Sequence, residues 1–275
     1  MDIISYQLTP ESYGQVRYCP ILLANHTNTA LEEWFTNYKF LLFAIENTTE
    51  EEFSNHRLSV EYLYSLKIRE RTFTEIKQNS TSLIEASLFQ DLFRILVTTF
   101  EQANELFEIS ETKKIGQNIL DFQQEIEKKT YKFNRDDFPK KIKKFAVEDK
   151  FQDYLATLVA INKARNCFEH RNGILGIYDC NVGEKLVIKF RYPAAIDADG
   201  KPVGLFDKVK GNQDLRLQFI EGKKTFRVKE RIRLNFEDSY KLIYTINFAL
   251  KGIVDFLYKL KDMDEEVTII KEFKS

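Results

Sequence analysis

The stretch KFQDYLATLVAINKARNCFEHRNGIL, residues 150–175, decides how this chain is read. Its apolar residues recur at three- and four-residue steps, the period of a helix packed on one face. Asn172-Gly173 then supplies two residues suited to the left-handed backbone that ends a helix, which places His170 in the last turn. Beyond Gly173 the period changes from about 3.6 to 2.

Upstream the pattern stays helical. Apolar steps predict helices over about 28–46, 59–78, 82–108, 111–131, 138–147 and 149–171. Leu83, Ala86, Phe89, Phe93, Leu96, Phe100, Ala103 and Phe107 form a core-facing stripe. Downstream, 185–192, 215–220 and 225–234 alternate apolar and polar residues, and DADGKP (197–202) and EGKK (221–224) read as turns between them. Helical periodicity returns after Asn235, an N-cap candidate with Asp238 three residues on.

The fold expected is therefore mainly α: a helical bundle over 1–172, a small antiparallel β insertion over 174–234, and a closing helix over 235–262. Residues 263–275 read as a charged tail. With 43% hydrophobic and 13% aromatic residues, the 275-residue chain can bury a full core and reads as a single domain. Its longest apolar run, FLLFAI at 40–45, is far too short for a membrane span, and the N-terminus lacks a signal-peptide pattern, so a cytoplasmic protein with no membrane partner is expected.

Cys19, Cys167 and Cys180 are odd in number and widely spaced, which suggests neither a disulfide framework nor a zinc site. No metal ligands and no cofactor are expected, because P-loop, dinucleotide, G-x-S-x-G and H-E-x-x-H patterns are missing from the sequence. The net charge of −1 conceals a split: residues 1–110 hold 8 basic and 16 acidic residues, and 111–275 hold 33 and 26. Such a distribution leaves the second half suited to an anionic partner.

On a helical wheel set to zero at Phe151, Phe151, Tyr154, Leu155, Leu158 and Val159 fall between about 300° and 80°. Asn162, Arg165, Asn166 and Glu169 fall in the same window, so the expected buried face changes from apolar to polar. His170 borders it. Buried charges need partners or a wet cleft, which marks this helix end as a candidate site.

Arg165-Asn166, three further residues, then His170 reproduces the R-N-x-x-x-H form of the R-x(4–6)-H motif. In this the chain resembles HEPN domains, all-helical modules associated with nucleotides and RNA, many of them metal-independent ribonucleases of toxin and antiviral systems. The resemblance implies that His170 acts as general base or acid on a ribose 2′-OH or the departing 5′-oxygen, proton transfers that imidazole performs near neutral pH. It implies that Arg165 stabilises the phosphate and that Asn166 orients either group. Asn162, Glu169, Arg171 and Asn172 would be accessory. The products implied are a 2′,3′-cyclic phosphate and a 5′-hydroxyl, and an antitoxin or other regulatory protein would restrain the activity. A non-catalytic RNA- or nucleotide-binding or protein-interaction module is the alternative.

Residues five apart on a helix point about 140° from one another. Either the helix unwinds at Glu169–His170, or Arg165 and His170 of two subunits cooperate in a homodimer, as the resemblance implies. RNA is the expected partner for a second reason. Alternation sets Lys185, Lys189 and Arg191 on one face of the first strand and Arg227, Lys229, Arg231 and Arg233 on one face of the last, with Arg216 between, a basic face suited to phosphates.

Overall fold

In the computed structural model, which describes residues 4–8, 14–55, 71–112, 119–145, 149–203, 215–260 and 267–269, the chain is mainly helical, with a small antiparallel sheet before the last long helix. The elements are β1 (Ile4–Leu8), β2 (Gly14–Tyr18), α1 (Pro20–Asn47), α2 (Glu50–Asn55), α3 (Phe73–Thr112), α4 (Ile119–Asn134), α5 (Phe138–Phe145) and α6 (Asp149–Arg171). After them come β3 (Lys185–Ile196), β4 (Pro202–Val203), β5 (Arg216–Arg227), α7 (Phe236–Lys259) and β6 (Val267–Ile269).

Helix α3 is the spine. It runs unbroken through 79–81, where the sequence predicts a break, because Thr81 and Ser82 return their hydroxyls to the carbonyls of Lys77 and Gln78 within the helix. Its start is set by a reciprocal cap: the Thr72 amide donates to Glu75 at 2.9 Å, and the Glu75 amide to the Thr72 hydroxyl at 3.2 Å. The predicted helix over 59–78 therefore resolves into the first turns of α3, its earlier part lying outside the described residues. Helix α1 begins eight residues before the expected 28, with Pro20 in its first turn, where a missing N–H costs nothing. Helix α4 lies at Ile119–Asn134 rather than 111–131, since α3 continues to Thr112.

Leu23, Leu31, Trp34, Tyr38 and Leu42 of α1 meet Phe89, Leu92, Leu96, Phe100 and Ala103 of α3, and Leu242, Ile246, Ala249, Ile253 and Leu257 of α7 close the core. Helix α5 wedges beside them through edge-to-face pairs of Phe138 with Phe93 and Phe100. Its basic run, PKKIKK, reads as a solvated helix start, but only part of it is solvated. Lys141 is 4% exposed, pairs with Glu101 and donates to the Asn134 carbonyl at 3.0 Å. Lys144 pairs with Glu108 and with the Asn104 side chain. These two lysines fasten α5 to α3.

The insertion corrects two strand boundaries. β3 and β5 pair without interruption from Lys185↔Arg227 to Ile196↔Arg216, so EGKK (221–224) is strand and not turn. Gly222 permits this, since a Cβ there would stand 3.3 Å from the Tyr192 ring that crosses it. The strand expected over 225–234 ends at Arg227, because Lys229 takes a left-handed φ of 72° and turns the chain. The turn expected at DADGKP is present, with Asp197 accepting from the amides of Asp199 and Lys201.

β3 has an open edge toward α7, and Thr245 covers it: its hydroxyl accepts from the Arg191 amide at 2.8 Å. The Asn235–Asp238 capping box opens α7, and Asp238 also receives Lys224 from the inner face of β5. A second small sheet, ordered β1-β2-β6, pairs Gly14–Val16 with Val267–Ile269, so part of the expected tail is a strand, and the N-terminal segment is not helical. Among the described residues, no helix is long and apolar enough to cross a membrane.

Candidate functional site

The end of α6 carries the motif, and its surroundings differ from the wheel. Among the described side chains of α6, Thr157, Leu158, Ala160, Ile161, Ala164, Cys167 and Phe168 form its buried side. That side is rotated by roughly 130° from the expected window. Small residues account for the difference: Ala160, Ala164 and Cys167 let neighbouring elements approach closely, while Tyr154 and Val159 stay at the rim. Arg165, Asn166 and Glu169 therefore line the flank of the core and do not extend it.

Arg165 is held by three neighbours. Its Nη2 lies 2.5 Å from Glu169 Oε1 one turn on, Nη1 donates to Asn166 Oδ1 at 3.0 Å, and the guanidinium stands 5.1 Å from the Phe93 ring centroid. The other oxygen of Glu169 lies 3.9 Å from His170 Nε2. Glu169 thus stands between the two residues of the motif, and the His170 side chain is 67% exposed. Helix α6 is regular through Arg171, so it does not unwind at Glu169–His170, and Arg165 and His170 of one chain diverge.

The accessory residues separate. Arg171 turns away from the motif and grips Asp179 with two donors, Nε at 3.0 Å and Nη2. Asp179, 4% exposed, also accepts from the Gly176 amide at 2.8 Å, and so fixes the loop after the helix. Lys163 adds a second tie, donating to the carbonyls of Tyr178 and Cys180. Asn172 (φ 50°) and Gly173 (φ 77°) end the helix in the left-handed region. Asn162 is half-buried on the same flank as Arg165. Sequence reasoning missed Asp179, whose only local signal was an acid eight residues after Arg171.

On the sheet, Lys185, Lys189, Arg191 and Arg227 do share one exposed face. Lys223 joins them directly opposite Lys189, hidden in the sequence by the turn reading of EGKK. Arg216 is a correction: its register opposite Ile196 sets it on the other face. Lys229 sits in the turn after β5, and Arg231 only in an isolated bridge with Ile174. Arg231 and Arg233, expected on the RNA-facing side, instead lie within the electrostatic reach of Glu85 on α3. Burial pushes Glu85 up from 4.5 to about 7, and Arg233, Arg231 and Lys224 offset only part of that rise.

Compared with family models, curated proteins and solved structures, the chain matches none.

Proposed function

We propose that this chain is a metal-independent endoribonuclease of the HEPN type, acting in the cytoplasm as a homodimer in antiviral defence or a toxin–antitoxin pair. The observation that carries this reading is the line Arg165–Glu169–His170 at the open end of α6, with the imidazole in solvent and the guanidinium held in place. His170 takes the proton of a ribose 2′-OH, the 2′-oxygen attacks phosphorus, and the bond to the 5′-oxygen breaks. The 5′-oxygen takes a proton from the partner's protonated His170 or from water, leaving a 2′,3′-cyclic phosphate and a 5′-hydroxyl. Arg165 stabilises the charge that develops on the phosphate.

With α6 continuous to Arg171, Arg165 and His170 of one chain point apart, which supports a cooperating pair drawn from two subunits. Ile174, Ile177, Tyr178 and Val182, all exposed and immediately after the motif, offer a second copy an apolar surface. Glu169 holds Arg165 until an RNA phosphate competes for it, which suits an effector kept in check by a regulatory partner. The same closed pair favours a second reading, a non-catalytic module that binds RNA.

Cleavage of a labelled cellular RNA pool in EDTA tests the proposal. The parent is expected to produce cyclic-phosphate ends and His170→Ala to produce none while keeping its circular dichroism spectrum. Equal cleavage by both, or a strict need for Mg²⁺, overturns the mechanism. Salt-sensitive RNA binding without turnover selects the second reading.

A further inference from the structure

A cavity of about 410 Å³ opens in the corner between the exposed face of β3–β5 and the first half of α6. That volume is within the range of small-ligand sites. Its polar groups come from three elements. The sheet contributes Lys189, Arg191, Lys223 and Glu221, α6 contributes Tyr154 and Thr157, and Thr245 of α7 also lines it.

The charges here are arranged in a way that folding alone does not favour. Lys189 and Lys223 are exact cross-strand partners, and like charges directly opposite each other destabilise a sheet. Among the described residues neither lysine forms a salt bridge with an acid, and Glu221 stands in register opposite Arg191. Arg191 is steadied from across the corner, its Nη1 standing 3.3 Å from the Tyr154 hydroxyl. Two lysines and an arginine thus line one cavity beside a single carboxylate and three hydroxyl side chains.

We propose that this cavity is a phosphate-binding site, with Lys189 and Lys223 closing on the phosphate of a nucleotide, free or within an RNA strand. An anion between the two ammonium groups turns their repulsion into two charge-assisted hydrogen bonds. Arg191 adds a fork of donors held ready by Tyr154. Tyr154 and Arg165 are eleven residues apart on α6, about 16 Å along the axis and only about 20° apart around it. The site is therefore separate from the motif and on the same side of the helix. It stands whether or not the helix end cleaves RNA.

Titration calorimetry on the full chain tests it, with adenosine 5′-monophosphate, adenosine and an octauridylate as probes. The comparison is with Lys189→Gln/Lys223→Gln and with Lys140→Gln/Lys201→Gln, which removes equal charge elsewhere. If the monophosphate binds and adenosine does not, with at least a tenfold loss in the first variant only, the site takes free nucleotides. If only the octauridylate behaves so, the phosphate is presented by a strand. Failure of both phosphate probes to bind the parent, equal binding by the first variant, or an equal loss in the control variant overturns the site. None of these outcomes depends on RNA cleavage.

Discussion

Lys189 and Lys223 face each other across β3 and β5, one register step from Arg191 and Glu221 on the same exposed face. Such a pair weakens the sheet it belongs to, and Lys223→Glu would make it an opposite-charge pair. The variant is expected to melt higher by up to a few degrees, a gain of roughly 0.2–1 kcal/mol, while losing phosphate binding. Calorimetric melts with and without adenosine monophosphate check both halves; a lower melting temperature would contradict the reading of Lys189–Lys223 as repulsive.

Glu85 sets a pH dependence. Its folded pKa of about 7 lies above the ordinary 4.5, so between those values the folded state keeps a proton that the unfolded chain has released. Stability from this group is present at low pH and is lost as pH rises through about 7. Glu85→Gln removes the loss. The melting temperature of the variant, relative to the parent, is expected to rise between pH 5 and pH 8; a constant difference would show that Glu85 ionises normally.

Asp179 organises the loop that follows the motif. Asp179→Ala strands the Gly176 amide and frees the Arg171 guanidinium, at a cost of about 2–3 kcal/mol. A fall of several degrees in thermal melting is the expected result. Faster amide exchange confined to 174–182 would accompany it.

Gly173 is tied to its conformation twice over. Its φ is 77°, and a Cβ would lie 2.9 Å from Cε1 of the buried Phe168 ring. Gly173→Ala should cost about 1–3 kcal/mol, whereas Asn172→Gly, at φ 50°, should cost little. Equilibrium urea unfolding of the two variants distinguishes them, and equal stabilities would refute the assignment of strain to Gly173.

Lys141 fixes α5 to α3 from a buried position. Lys141→Ala leaves Glu101 and the Asn134 carbonyl without their donor, and a loss of about 2–3 kcal/mol is expected. Lys141→Met keeps an apolar chain of similar length in this buried position and should lose less. Denaturant midpoints order the three proteins.

What the sequence by itself determined is whatever rests on local periodicity and on chemistry between near neighbours. The helical bundle, α6 over 149–171, the Asn235–Asp238 cap, the β insertion before α7 and the basic side of β3 were all legible, because period and capping are short-range properties. The tertiary structure decided what depends on partners far along the chain. It joined EGKK into β5 because the twelve residues of β3 needed a partner of equal length, and it paired Lys189 with Lys223 as a result. It rotated the buried side of α6, since close packing at Ala160, Ala164 and Cys167 outweighs the side-chain bulk that a wheel registers. It brought Arg231 and Arg233 within electrostatic reach of Glu85, after a reversal at Lys229 that alternation along one strand cannot register. Burial, register and long-range charge pairing are relations between segments, and they exist only once the segments are packed.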